Sequence, residues 1–423
     1  MKARGFIDGR SRSYLRLCVA AGIIMLLTSA AALAQPVVVH HWLRGPDTMF
    51  AFVKDQVEKF ERDNPDIKIE LVHVIDAEEK YKIAFATGLD LDVLWTNPTS
   101  NLLEYMAQGW LLPLDALVER VNLDLDEFYA PVVELARKDG QLYGIPYAAL
   151  PAPGMFYNKS LFDNAGLTYP DATWTYQGEF LDAARRLVRD VSGDGAPDQW
   201  AWSKPNYADM QTLLSAFGGG VLGPDGVEIL IDSPGTLEAL SFMDSLANEY
   251  GVLLRSGGSS AFTAGNLAML WEGYWSLPGI VQAFPQGGFG ISVPPQGPQG
   301  HRTMFHIGYY SIAHHSKNPE AALRWISYLV SDEVGFDWVR AKLNPTAKPS
   351  VNAAPEFLED PYHREWMPIY DLTSVQYAIP ANFRRADVER VFNTMLNQIV
   401  NGEMPVSNAV AIAKDAISAI LSE

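Results

Sequence analysis

Trp42, Arg44 and Asp47 stand within six residues of one another, and Trp95 and Asn97 form a second such group. These residue types suit recognition of a polyhydroxylated solute. Hydroxyls need paired donors and acceptors of the kind Asp, Asn and Arg supply, while the C–H patches of a sugar ring need the flat face of Trp or Tyr. Eleven Trp in 423 residues exceed what a core alone requires. Plainer roles stand beside this reading: edge-of-core packing for Trp42 and Trp95, a helix N-cap for Asp47, a loop position for Asn97.

Catalytic spacings are missing. The sequence contains no G-x-S-x-G, no H-E-x-x-H and no phosphate-cradling loop, and its single cysteine is Cys18. Fifty acidic residues leave a glycosidase-type carboxylate pair open. Asp190, Ser192 and Asp194 occupy the first, third and fifth positions of a calcium-like loop and Asp198 the ninth. Ala201 stands at the twelfth, where a bidentate Glu belongs, so a solvated turn is the expected role and calcium the weaker one. Gly218, Gly220 and Gly223 fit G-x-G-x-x-G but follow a helical stretch and run into a turn, the wrong context for a dinucleotide site. In His40-His41 and His314-His315 strand neighbours point to opposite faces, so neither pair chelates alone. No cofactor is expected.

The elements that would position these groups alternate. A strand is predicted over Val37 to Trp42, and a helix over Thr48 to Glu61 with Asp47 or Thr48 as its cap and Asn64-Pro65 as its stop. Strands follow at Ile67 to Val74 and at Asp92 to Trp95. This is the pattern of an α/β domain with a mostly parallel sheet, whose ligands sit beyond the C-terminal strand ends. Those ends carry His41-Trp42-Leu43-Arg44 and Trp95-Thr96-Asn97. Further on, a hairpin is expected over Gln141 to Tyr147, and helices over Gln177–Arg189, Asp209–Phe217 and Thr236–Tyr250. The Gly/Pro/Gln-rich stretch Gly287 to Gly300 reads as a surface loop or lobe connection, and Asn318-Pro319-Glu320 opens a helix.

Composition bounds the setting. Lys2, Arg4, Arg10, Arg12 and Arg16 precede an apolar run from Leu17 to Leu33, and Ala32-Leu33-Ala34 supplies a cleavage signature, so residues 1–34 are expected to be a Sec-type signal peptide. Cys18 precedes the apolar core and is poorly placed for lipidation. Residues 1–34 carry five basic side chains and one acidic one, so the remainder is four charges more negative than the whole-chain −18. Such acidity excludes nucleic acid and anionic membranes as natural partners. The remaining 390 or so residues exceed one core, so two domains are expected.

Ordered phrases carry a resemblance. Phe60-Glu61-Arg62-Asp63-Asn64-Pro65-Asp66-Ile67, Asp92-Val93, Tyr143-Gly144-Ile145-Pro146 with Phe156-Tyr157-Asn158-Lys159, Ala268-Met269 leading into Gly273-Tyr274-Trp275, and Ser316-Lys317-Asn318-Pro319-Glu320 with Tyr328-Leu329-Val330-Ser331 span most of the chain. Together they resemble the carbohydrate-type extracellular solute-binding proteins of ABC importers, the group that includes maltodextrin-binding proteins. The resemblance implies an α/β fold of two lobes, each a mostly parallel sheet flanked by helices, with a ligand cleft between them. Chain crossings are implied near Tyr147, His306 and Ala347. The first lobe would comprise 35–147 with 308–347, and the second 148–307 with 348–423. It adds Asn206, Tyr207, Trp275, Tyr309, Glu272 and Arg384 to the ligand-binding candidates. It further implies a monomeric periplasmic receptor, not an enzyme, that closes on a sugar and presents it to the importer's membrane subunits. A glycerophosphate or other anionic polyol is the competing ligand, resting on His41, Arg44, Arg384 and Arg385. A glycoside-acting enzyme is the distant alternative.

Overall fold

A computed structural model describes residues 35–98, 101–223, 226–372, 374–376 and 384–422; the expected signal peptide, residues 1–34, lies outside them. The β-branched run at the start of the described chain forms β1 (Val37–Leu43), with Val39, His41 and Leu43 buried in alternation. α1 (Asp47–Asp63) turns Met49, Val53 and Phe60 inward. It stops at Asn64, whose side-chain and backbone N–H groups both bond to the Phe60 carbonyl. The expected cap is corrected. The helix begins at Asp47 itself with Pro46 at the cap position, and no side chain caps it. Proline's restricted φ, here −67°, supplies the extended entry instead.

β2 (Ile67–His73) and β3 (Val93–Thr96) flank β1 in parallel, with α2 (Ala77–Thr87) between them in the chain. β4 (Ile145–Ala152) and β5 (Gly154–Asn158) follow. α3 (Tyr207–Ala216), α4 (Pro234–Asp244), β6 (Met269–Glu272) and β7 (Phe289–Ser292) come next, and then the long β8 (Arg302–Ile312). The chain closes with α5 (Pro319–Leu329), α6 (Asp332–Arg340), α7 (Pro361–Leu372), β9 (Ser374–Gln376), α8 (Arg385–Val400) and α9 (Val406–Ser422).

The first sheet has the order β9-β8-β3-β1-β2, with β4 also on β8. It is parallel across β2-β1-β3 and antiparallel where β8 meets β3 and β4. The second sheet, β6-β5-β7, is antiparallel throughout, which departs from the expectation of a mostly parallel sheet in each lobe. The β-α-β alternation behind that expectation exists only in the first hundred residues; the strands that join β5 return against it. β7 also corrects the loop expected over Gly287 to Gly300. Phe289–Ser292 is a fully buried strand, and the surrounding Gly and Pro mark its ends rather than its absence.

Buried side chains sort into two lobes. The first core joins Val39, Phe60, Tyr81 and Val93 to Ile307, Tyr309 and Ile312 of β8 and to Trp325 of α5. In the second lobe, Tyr176, Phe180, Trp202 and Met243 pack with Phe392 and Ile417 from the C-terminal helices, and Phe156, Leu270, Tyr274 and Trp366 form an adjoining cluster. β4 and β8 belong to both lobes, since Ala149 and Ile307 lie in the first core while Leu150, Ala152 and Met304 lie in the second lobe's clusters. This is the two-lobe α/β architecture of periplasmic binding proteins. Past Ala347, the Lys348 ammonium is buried between Glu127 (2.6 Å) and Asp332 (2.8 Å), which pins that passage to the first lobe. No described helix is long and apolar enough to cross a membrane.

His41 takes the Trp325 indole N–H on its Nδ1 (3.0 Å) and lies edge-on to Tyr310, so it is a core residue and not an anion ligand. Burial pushes its pKa down from 6.5 to about 3, and burial together with Arg385 pushes that of His306 down to about 4. A buried neutral His must stay unprotonated in the fold while the unfolded chain takes up protons below pH 6.5. Stability is therefore full above 6.5 and falls with pH by about 1.4 kcal/mol per unit for each such His. Urea unfolding at pH 7.5, 6 and 5 is expected to show this decline, and His41→Asn, which keeps an acceptor for Trp325, to make it shallower, with the remainder carried by His306 and the likewise depressed, buried His363.

Candidate functional site

At the first lobe's strand ends Tyr81 acts as a brace. Its hydroxyl donates to the Trp42 carbonyl at the end of β1 (2.9 Å) and accepts the Trp95 backbone N–H on β3 (3.4 Å). The Arg44 guanidinium lies 4.4 Å from the centre of the Trp95 ring, a cation–π contact, and the Trp95 indole N–H reaches the Tyr147 hydroxyl (3.1 Å). Arg44 and Trp95 are thus brought together as the sequence suggests. Trp42 instead packs half-buried against the first core. The Asp47 carboxylate is fully exposed, 3.7 Å from His73 at the first turn of α1. Asn97 is buried and shapes the turn after β3, where its N–H bonds to Asn101 Oδ1 and its carbonyl accepts from Asn101 and Leu102.

The second lobe's group is built on β6 and the start of α3. β6 ends at Glu272, and Gly273 follows because the Trp275 ring folds back over it: a Cβ there would lie 2.2 Å from that ring. Glu272 accepts the Trp275 indole N–H (3.0 Å), the Gly273 N–H (3.1 Å) and the Ser259 hydroxyl (3.1 Å), so carboxylate and indole fix each other. Asn206 caps α3 by accepting the Asp209 N–H (2.9 Å), while its amide donates to Asp209 Oδ2 (2.7 Å). Asp209 is buried; burial first and the Glu272 charge second push its pKa well above 3.8, against the Asn206 bond. The Glu272 charge is thus close enough to be felt at Asp209, which burial disposes to stay protonated.

The long strand completes the floor. His306 of β8 lies 5.1 Å, ring to ring, from Trp275. Arg385 lies 5.8 Å from the Tyr207 ring and 3.5 Å from Glu389. Burial draws the Arg385 pKa down; Glu389, Tyr207 and, from the first lobe, Glu78 hold it up, so the charges of the two lobes reach each other here.

Two candidates move. Tyr309 is corrected from cleft wall to core: it is fully buried and its hydroxyl donates to the Val132 carbonyl (2.6 Å), at a point where β8 is covered on both faces and its neighbour Tyr310 is in the first core too. Arg384 stands at the start of α8 with its Nε on Asp387 (3.0 Å), and its neighbour Arg385 is the residue that joins the group. The Asp190 loop closes on itself. Asp190 accepts the Gly193 and Gly195 N–H groups and Asp198 those of Val191 and Ser192, and no cluster of three or more metal-ligating side chains occurs among the described residues. Sequence reasoning missed Asp209, His306 and Tyr147 as members of the site. Asn206 three residues before Asp209 was an available capping signal; His306 carries none locally.

A buried acid with a raised pKa contributes full stability below its ordinary value of 3.8 and loses it as pH rises through the folded value. Asp209→Asn keeps the amide-compatible geometry without the charge. It is expected to raise the melting temperature at pH 8, by an amount equivalent to about 1 kcal/mol or more, and to lose that advantage near pH 4. Differential scanning fluorimetry at both pH values measures it.

Comparison with known proteins agrees with this architecture. A Brucella abortus protein described as a binding protein is 28% identical over 302 residues, 68% of this chain and 69% of its own length. The lactose-binding protein of Rhizobium radiobacter is 25% identical over 268 residues, 62% of this chain and 61% of its own. The crystal structure of a Mycobacterium tuberculosis protein in complex with glycerophosphocholine superposes with a TM-score of 0.80 at 20% identity, covering 92% of this chain and 99% of that one. Residues 46–335 match the family model for bacterial extracellular solute-binding proteins, and the chain belongs to that family.

Proposed function

We propose that this solute-binding protein captures a neutral sugar or sugar-like solute between the Arg44–Trp95 pair and the Trp275, Glu272, Asp209 and His306 group, and passes it to the membrane subunits of an ABC importer. The observation that carries this reading is the Trp275 indole held by Glu272 beside Asp209, an aromatic platform edged by carboxyls. Such a site satisfies a ring's C–H face and its hydroxyls together. The likeness to a lactose-binding protein supports it.

An anionic polyol is the second reading, supported by the neighbour that binds glycerophosphocholine and by Arg44 and Arg385. The basic residues behind it are dispersed, however. His41 is in the core, Arg384 is on Asp387, and Arg44 lies on Trp95, while the Glu272 carboxyl stands beside Trp275. The neutral ligand is favoured. Binding without turnover is the proposed activity, as a monomer in the periplasm after removal of residues 1–34. The core memberships support lobes of 35–147 with 308–347 and 148–307 with 348–423, with the edges shared along β4 and β8.

A thermal-shift screen of residues 35–423 against neutral sugars, polyols and sugar phosphates tests this. A solute at a hundred times its dissociation constant adds about 2.7 kcal/mol of stability. A neutral saccharide is expected to raise the melting temperature, and Trp275→Ala to abolish that rise. A response confined to phosphorylated solutes and lost in Arg385→Gln selects the anionic reading. Slow release of cleaved sugar, followed by chromatography, overturns the binding-only assignment.

A further inference from the structure

The platform residue Trp95 and the chain passages between lobes meet at one side chain. The Tyr147 hydroxyl accepts the Trp95 indole N–H at 3.1 Å. Tyr147 itself lies on β4, the first strand to pass from one lobe to the other. Its ring covers Gly308 of the second passage, where an added Cβ would sit 2.5 Å from the ring, and β8 shifts register between Gly308 and Tyr309 at that point. Its carbonyl accepts the N–H of Ala347 on the third passage (3.2 Å), beside the bridge between Ala148 and Thr346. Tyr147 therefore touches all three passages and the cleft platform at once.

The ring is held on its other sides. It stacks on Tyr310 with centroids 4.6 Å apart and planes 22° from parallel, and meets Trp338 edge-on at 5.5 Å. A cavity of about 20 Å³ adjoins it, lined among others by Tyr310, Trp338, Ala347 and Lys348. That space, roughly one water, lets the ring shift when the passages rotate without emptying the core. The hydroxyl is the part that sees the cleft, and the ring is the part that sees the passages.

We infer that Tyr147 is a positioning residue that couples the Trp95 platform to the lobe passages, so that the set of the indole and the angle between lobes change together. This rests on the reading of Trp95 as a cleft residue. A solute seated on Trp95 then acts on the passages through one hydrogen bond, and a bistable arrangement of the passages acts back on the platform.

The test uses residues 35–423, which contain no cysteine, with spin labels at Lys54→Cys on α1 and Ser241→Cys on α4. Interlobe distance distributions and tryptophan emission are recorded for wild type, Tyr147→Phe, Trp95→Phe and the double variant. Tyr147→Phe keeps the stacked ring and loses the hydroxyl, so its melting temperature stays within a few degrees. Expected are an altered tryptophan emission, a distribution broadened toward larger separations, and a double variant no broader than either single one, the signature of action through Trp95. With lactose and glycerophosphocholine as probes, whichever binds wild type is expected to bind Tyr147→Phe about 5–30-fold more weakly, the worth of about 1–2 kcal/mol. A Tyr147→Phe distribution identical to wild type, or broadening that adds in the double variant, overturns the coupling. Failure of both probes on wild type weakens the ligand assignment alone, because the unliganded distributions still decide the role of Tyr147.

Discussion

The antiparallel pairing of β4 with β8 is the constraint from which the rest of the molecule follows. Seven residue pairs, from Met304–Ala152 to Tyr310–Ile145, run through the boundary between lobes, so the same ladder that completes the first sheet also carries the chain into the second lobe. Two of its β4 positions, Pro146 and Pro151, have no N–H to donate. Among the described strands β4 pairs with β8 alone, its other side meeting the chain at the Ala148–Thr346 bridge. The ladder runs on across the boundary with one register shift, between Gly308 and Tyr309.

Against that joint the cleft is expensive to build. Asp209 is buried beside Glu272, and His306 and Arg385 are buried nearby, each displaced from its ordinary ionisation by burial. Groups held this way lower the stability of the folded protein. The compensation is elsewhere: a large aromatic interior around Tyr176, Trp202, Phe180 and Trp271 in the second lobe, with Trp202 and Trp271 centred 4.9 Å apart. Trp271 and Trp275 lie four residues apart yet serve opposite ends, one the core and one the cleft, because β6 ends between them at Glu272–Gly273.

Much of the first lobe was legible because its elements are local. The Val37–Val39 run, the Asn64 stop and the strand at Trp95 are each specified by a few neighbouring residues, and all three occur. The second lobe was less so. Its strands are four or five residues long, and β7 is hidden among glycines and prolines whose average composition reads as loop. The site divides in the same way. Glu272 and Trp275 are near in sequence, and Arg44 and Trp95, though 51 positions apart, each follow or end a recognisable strand, so all four are legible as candidates. Asp209, His306 and Tyr147 join them through partners about thirty to sixty positions away, which no local pattern encodes. Tyr309, read as a cleft wall from its place beside Gly308, lies where β8 is covered on both faces, with Tyr309 and Tyr310 both in the first core.

Late placement of β8 has a consequence for the order in which the chain becomes structured. His41 meets Trp325, Val38 meets Asn318, and β3 finds its second neighbour in β8, contacts that join residues more than two hundred positions apart. Until about three quarters of the chain has been synthesised, β1 to β3 lack both the strand and the helix that cover them. The first lobe therefore remains loose for most of the time the ribosome is at work. A nascent chain in that condition exposes apolar strand faces and is open to aggregation until the later elements arrive.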